Sequence, residues 1–385
     1  TVWDATASDE FLLASSTYVL TGATSGTGTS LNGVAFNLGT TTVTWTAIDG
    51  SGNTATCSFD VTVTDITNPS LVNCVANQSV NANTGVCTFT VSGTAWDATA
   101  TDNCSIATIT ANVTGATTAS GLTSLDGFVF NLGLSTVTWT VVDGSGNSVQ
   151  CVYTVTVTDN QNPILSDCVA NQSVSSNVGV CTYTVSGTAW DASATDNCTV
   201  TTLLANVTGA TTATGLTTLD GFVFNLGTST VTWIATDGTG NSSQCSFNVT
   251  VTDNQLPSFT SCIGSTQNIN VDVNECNYTV IGTGWDAVAT DNCSVSTVLA
   301  SLSGATTASG LTTLNNVNFN VGTTTVTWTA TDGSGNTQVC IFDVVVTDNI
   351  LPTFTTCGAP GDQTVNANAG ICSYTHPNNS WNASA

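Results

Sequence analysis

Strict alternation of apolar and polar residues runs through most of this chain. Over 136–144, Val137, Trp139 and Val141 fall on one face while Thr136, Thr138 and Thr140 fall on the other, the period of a half-buried strand. Over 151–159, Cys151, Tyr153, Val155 and Val157 share a face opposite Thr154, Thr156 and Thr158. Between the two lies DGSGN (143–147), whose Asp, Gly and Asn tolerate positive φ and predict a hairpin turn. CTFTVSG (87–93) and NQSVNAN (77–83) read as further strands parted by a TG turn, and no stretch carries helical periodicity. Roughly seven short strands per unit, separated by turn signals, predict a two-sheet antiparallel sandwich. The tryptophan of the penultimate strand belongs in its core, and packing is the expected role of the nine tryptophans.

The strand pattern repeats. GFVFNLGLSTVTWTVVDGSGNSVQCVYTVTVTDNQNP (127–163) returns as GFVFNLGTSTVTWIATDGTGNSSQCSFNVTVTDNQLP (221–257), with looser copies over 33–69 and 316–352. Trp45, Trp139, Trp233 and Trp328 step by 94, 94 and 95 residues, as do Pro69, Pro163, Pro257 and Pro352. That period suits a small domain and is too long for a solenoid unit. The predicted organisation is three complete repeats at 70–163, 164–257 and 258–352. Residues 1–69 form the later part of another repeat and 353–385 the start of a further one, so a chain continuing in both directions is expected. FLLASSTYVL (11–20) aligns with CSIATITANV (104–113) and lacks a basic flank, so it reads as a strand and not as an export signal.

Charge narrows the function classes. The chain carries 25 Asp and Glu and no Lys or Arg, where ordinary usage would supply about 40 basic residues. Without cationic side chains, nucleic-acid binding is excluded as an expectation. No apolar run approaches the ~18–20 residues of a membrane span. Catalysis has little to draw on: the one histidine, His376, does not recur, so Ser-His-Asp or Cys-His chemistry has no base, and no catalytic residues are expected. Sequons at Asn77, Asn112, Asn171 and Asn206 matter only in a host that glycosylates them.

The string G-T-T-x-V-T-W-x-A-x-D-G-x-G-N-x-x-x-C-x-F-x-V-x-V-x-D resembles the HYR (hyalin repeat) domain, repeat by repeat along the whole chain. The resemblance implies an all-β, immunoglobulin-like fold and an extracellular adhesion protein. The insertions SGTAWDATATDNC (92–104) and TGATTASGLTSLDG (114–127) look like those of giant surface proteins of Bacteroidetes, including gliding-motility adhesins exported by type IX secretion. That likeness implies a bacterial outer-surface location.

Each complete repeat holds four cysteines: Cys74, Cys87, Cys104 and Cys151; Cys168, Cys181, Cys198 and Cys245; Cys262, Cys276, Cys293 and Cys340. None forms a C-x-x-C pair, so disulfides in an oxidising compartment are expected and zinc is not. Four cysteines allow three intradomain connectivities. In the first fragment Cys57 matches Cys151 whereas Phe11 stands where Cys104 would, which disfavours a third–fourth bond. Two-cysteine HYR domains keep the first and fourth, so the resemblance implies Cys74–Cys151 with Cys87–Cys104, Cys168–Cys245 with Cys181–Cys198, and Cys262–Cys340 with Cys276–Cys293. A lengthwise bond from one repeat's second cysteine to the next repeat's first remains open.

Four acidic positions recur: Asp97, Asp191 and Asp286 of WDA; Asp102, Asp196 and Asp291 of TDN; Asp143, Asp237 and Asp332 of DG-x-GN; Asp159, Asp253 and Asp348 of VTDN. Calcium prefers such hard oxygens, and the linkers DNQLPSF and DNILPTF look like the Asp-Asn-x-Pro linkers of cadherins. The candidate calcium ligands are Asp143, Asn147, Asp159, Asn160, Asp237, Asn241, Asp253, Asn254, Asp332, Asn336, Asp348 and Asn349. Turn chemistry is the competing account, because turns need the same residues. The expected function is a structural stalk or filament holding an adhesive element away from the cell. Its expected partners are neighbouring repeats, with surface polysaccharide or other cell-surface proteins as candidates. The rival is a repeat that itself binds carbohydrate or protein.

Overall fold

The computed structural model describes residues 2–355, 363–370 and 372–377; the expected start of a further repeat at 353–385 lies in part outside the described residues. The chain divides into two compact units. One comprises 1–166 with 193–203 and 234–244, the other 167–192, 204–233 and 245–385.

In the first unit the leading fragment contributes β1 (Leu13–Gly22), β2 (Gly26–Gly28), β3 (Gly39–Asp49) and β4 (Thr54–Val63), paired in the order β2-β1-β3-β4. The stretch 11–20 is therefore largely strand, as its alignment with 104–113 predicts. A complete strand set follows: β5 (Ser70–Asn73), β6 (Gln78–Asn81), β7 (Thr88–Thr90), β8 (Thr99–Thr101), β9 (Ile106–Gly115), β10 (Ala119–Leu122), β11 (Val129–Asn131), β12 (Gly133–Asp143) and β13 (Ser148–Thr158). The same set recurs over 164–252 and 258–347. All described secondary structure is strand, so the all-β reading of tandem sandwich repeats holds.

Two details differ from the expectation. Each complete set has nine strands, because the WDA-to-TDN insertion and the loop after β9 add the short strands β8 and β10. The pairing is also not wholly antiparallel. The five-stranded sheet runs β10-β9-β12-β13-β6, and β6 joins β13 in parallel, Gln78 opposite Val155 and Asn81 opposite Thr158. Two-stranded ribbons, β11-β7 and β5-β8, complete the set.

The alternating faces meet as the sequence dictates. Trp139 pairs with Ala111 on β9 and with Cys151 on β13, and it is fully buried with Leu125, Phe130, Val137 and Val155. Trp96 stacks on Phe89 at 5.6 Å, and the Tyr153 hydroxyl donates to the Trp96 carbonyl at 2.8 Å, which satisfies the one polar atom of that ring. Such aromatic packing contributes beyond the area it buries.

At the end of β9 the chain must pass close under the start of β12. Gly115 has φ +103°, and a Cβ there would lie 2.5 Å from the Leu134 carbonyl oxygen. Gly209 repeats the arrangement at φ +103°, 2.6 Å from the Thr228 carbonyl oxygen. Gly115→Ala is therefore expected to destabilise the fold by about 1–3 kcal/mol, read as a lowered urea midpoint at unchanged slope.

Candidate functional site at the repeat junctions

Four recurring aspartates sort into two roles. Asp97 closes a loop within its own repeat: its Oδ1 accepts from Leu125 N at 2.7 Å and its Oδ2 from the Ser124 hydroxyl at 2.6 Å. Asp191 does the same with Leu219 N and Thr218, and Asp286 with Leu314 N and Thr313. The DG-x-GN aspartates cap their own hairpins. Asp143 Oδ1 accepts from the backbone N–H of Ser145 and Asn147, and Oδ2 accepts from Asn147 Nδ2 at 2.7 Å. Asp237 with Asn241 and Asp332 with Asn336 match. This is the turn chemistry that competes with calcium.

The remaining two positions meet at the junctions. Asp65 Oδ1, in the linker before the second repeat, accepts from Thr67 N at 3.0 Å and from Asn103 Nδ2 at 3.2 Å. Its backbone carbonyl accepts from Asn147 Nδ2 at 3.0 Å. At the next junction Asp159 Oδ1 accepts from Gln161 N and Asn197 Nδ2, and its carbonyl from Asn241 Nδ2. In the second unit Asp253 is held identically by Gln255 N, Asn292 Nδ2 and Asn336 Nδ2. The linker glutamine also reaches back: Gln161 accepts from Gly85 N at 2.9 Å and donates to the Asn83 carbonyl at 3.1 Å.

Asn147, Asn241 and Asn336 thus serve both hairpin and junction. Asn160, Asn254 and Asn349 are exposed, and Asn254 donates to Ser175 Oγ. Asp348 is exposed as well. The aspartates that do converge on the linker carboxylates are Asp102, Asp196 and Asp291. One oxygen of each, a linker carboxylate oxygen and the neighbouring cysteine sulfur lie within 4.8 Å of one another. Their recurrence in TDN is visible in the sequence; that they face the preceding linker is not.

The disulfides correct the expected pairing. Cys74 bonds Cys151, Cys168 bonds Cys245 and Cys262 bonds Cys340. Cys87, however, bonds Cys198 and not Cys104, and Cys181 bonds Cys293 and not Cys198. Cys276 and Cys104 carry free thiols, so no Cys276–Cys293 bond forms. The reason is position along the sandwich. Cys87 follows the 83–86 turn, which Gln161 ties to the outgoing linker. Cys104 lies beside Asp65 of the incoming linker, at the other end of the repeat. The asparagine before each third cysteine fits this bond: Asn197 Nδ2 donates to the Val86 carbonyl and Asn292 Nδ2 to the Val180 carbonyl, both at 3.1 Å. At Cys104, burial first, then the hydrogen bond to Asp65 and the charges of Asp65, Asp102 and Asp143, push the thiol pKa up.

The HYR domain model matches residues 15–63, 158–251 and 252–346, well over half of the chain. The chain belongs to the HYR domain family. Among HYR relatives, hyalin of Strongylocentrotus purpuratus is 30% identical over 328 residues, covering 83% of this chain and 24% of hyalin. Hyalin of Lytechinus variegatus is 28% identical, covering 82% and 53%. The chain thus spans about a quarter and about half of these curated relatives. The serine-rich adhesin for platelets of Staphylococcus aureus is 30% identical over 178 residues, covering 44% of this chain and 12% of the adhesin. Cadherin domains 3–6 of protocadherin gamma B2 align over 87% of this chain and 93% of theirs at 14% identity and TM-score 0.30. The chain is accordingly an array of HYR repeats closed by disulfides.

Because an HYR chain with no Lys or Arg offers trypsin nothing to cut, Asn160→Arg creates a single site in an exposed linker position. The cleaved chain is expected to run as one piece on a non-reducing gel and as two after reduction, since Cys87–Cys198 spans the cut. Separation without reductant would contradict that bond.

The hairpin carboxylates also set an acid limit. Burial pushes the Asp237 and Asp332 pKa values up, but the Asn241 and Asn336 amides and the turn N–H groups outweigh it, and both are held below the ordinary value. At Asp65 the Thr67 N–H leads the lowering, and at Asp49 the Asn53 side chain does. Depressed folded-state values contribute stability that is present above the unfolded carboxylate range and is lost as pH falls through them. Urea midpoints are expected to be flat from pH 7 to about 5 and to fall below about pH 4, with a shallower fall in Asp332→Asn.

Proposed function

We propose that this chain is a stalk segment of a long exported cell-surface adhesin, built to carry tension between the cell and an adhesive element. We place the repeat boundaries at 69/70, 163/164, 257/258 and 352/353, one junction to each linker aspartate. The observation that carries this reading is the lengthwise bonding. The loops closed by Cys74–Cys151, Cys87–Cys198, Cys168–Cys245, Cys181–Cys293 and Cys262–Cys340 overlap. Every peptide bond from Cys74 to Cys340 therefore lies inside at least one disulfide loop. With the first–fourth bonds alone, the linkers 151–168 and 245–262 would be the only unbridged stretches; Cys87–Cys198 and Cys181–Cys293 bridge both.

Two covalent tracks run through the array as a result. One passes along the backbone from Cys151 to Cys168, the other along the backbone between Cys181 and Cys198. A tether benefits from this more than a binding module does, because a nick in either bridged linker, 151–168 or 245–262, leaves it whole. Likeness to hyalin and to a bacterial adhesin supports an adhesive setting. In an array continued on either side, Cys104 and Cys276 would close the same bonds.

Single-molecule pulling tests the reading. The Cys151-to-Cys168 path is about 17 residues, roughly 60 Å when fully extended, against roughly 300 Å for a whole repeat. The oxidised chain is expected to lengthen by no more than the shorter figure per repeat, and the reduced chain by the longer one. Full-length extension events from the oxidised chain would remove the tension-bearing role.

A further inference from the structure

At the first three junctions the structure leaves carboxylate oxygens unanswered. Asp65 Oδ2, Asp159 Oδ2 and Asp253 Oδ2 are buried with no hydrogen-bond partner, and so are Asp102 Oδ1, Asp196 Oδ1 and Asp291 Oδ1. The linker aspartates are only 8%, 6% and 3% exposed. Their other oxygens are all engaged, by linker N–H groups and asparagine amides. The TDN aspartates likewise use Oδ2 on the N–H of Cys104, Cys198 and Cys293, each at 2.9 Å. The orphaned oxygens thus come in pairs, one from the linker and one from the next repeat's TDN loop, in carboxylates that approach within 4.8 Å of each other.

In each pair the linker carboxylate is buried and the TDN carboxylate half-buried, and two like charges this close, with no donor on their orphaned oxygens, repel each other. Elsewhere a lysine or arginine would supply the counter-charge, but this chain has none. At the second and third junctions sulfur does not fill the role, since Cys198 and Cys293 are in disulfides; at the first, the free Cys104 thiol lies beside Asp65 but brings no positive charge. The DG-x-GN aspartates do not either, because both of their oxygens are committed to their own turns.

We propose that each junction binds one hard divalent cation, of the calcium class, between the linker aspartate and the TDN aspartate of the following repeat: Asp65 with Asp102, Asp159 with Asp196, and Asp253 with Asp291. Two carboxylate oxygens supply the charge and water completes the shell, as oxygen-preferring ions of this size allow. The ligand set differs from the one the motifs suggest, since Asn160, Asn254 and the hairpin pairs stay outside it. The cation would pin each linker to the next repeat at a point that the disulfide fixes independently. The proposal therefore stands or falls apart from the stalk reading.

The test is calcium binding by the oxidised 385-residue chain after chelation, followed by isothermal calorimetry at pH 7. Three sites per chain are expected. Asp196→Asn should reduce the count to two and the triple variant Asp102→Asn, Asp196→Asn, Asp291→Asn to none, with native near-UV circular dichroism retained. Asp126→Asn, on an exposed loop, should keep all three. Two results would overturn the proposal: no saturable uptake at millimolar Ca2+, or the same stoichiometry in Asp196→Asn as in the unsubstituted chain. A neutral-pH carboxylic-acid infrared band, unaltered by Ca2+ and lost in the triple variant, would overturn it too, showing that a shared proton joins each pair. Should the triple variant misfold, the single variant decides.

Discussion

Every buried carboxylate in this chain must be stabilised without a cationic side chain. That constraint organises the structure. With 25 acidic residues and no Lys or Arg, negative charge must be balanced by N–H dipoles, by amide and hydroxyl side chains, or by something from outside. The hairpin aspartates take the first two routes fully: each has one oxygen in a fan of turn N–H groups and the other on an asparagine amide. Hydrogen bonds to an ionised acceptor are stronger than neutral ones, so a tight turn can hold a charge that a looser loop would expose. The need for such turns explains why Asp, Gly and Asn recur at fixed spacing.

The same economy links the turn to the junction. Asn147, Asn241 and Asn336 each donate from one nitrogen to their own aspartate and to the backbone carbonyl of the preceding linker. A hairpin deformed by acid would therefore loosen the junction as well as the repeat. The lengthwise disulfides act on the same place from the unfolded side. A bond across 111 residues removes at most about 5 kcal/mol of chain entropy from the unfolded state, and because its loop overlaps the neighbouring ones their effects do not add. Its larger consequence is topological, since it bridges the linker that an intradomain bond would leave as a single strand of backbone.

The fold was legible because alternation is local. Val137, Trp139 and Val141 declare a buried face without reference to anything distant, and the core follows. The parallel pairing of β6 with β13 was not legible, because its partners are some 77 residues apart and periodicity carries no register between them. The second–third cysteine pairing failed for a sharper reason. In an array of fixed period, the step from Cys87 to Cys104 and the step from Cys87 to Cys198 recur equally well, so repetition cannot tell a bond within a repeat from one between repeats. What separates them is which end of the sandwich each loop occupies, and that depends on the path of the whole strand set. The motifs did not show which role each residue takes: Asn147 is a donor here, its amide turned towards two acceptors.

Seen from the junction, the disulfide and the carboxylate pair are two solutions to one mechanical problem. Asp196 and Cys198 sit two residues apart, and so do Asp291 and Cys293. The covalent bond leads back to the 83–86 or 177–180 turn of the preceding repeat, and the carboxylate leads to the preceding linker. One short loop is therefore anchored to two separate parts of its predecessor. Two anchor points limit rotation about the linker in a way that one cannot, and the covalent anchor is insensitive to pH and ions while the carboxylate anchor responds to both. An array built this way stays covalently joined across its linkers as long as the disulfides are oxidised, whatever neutralises the paired aspartates.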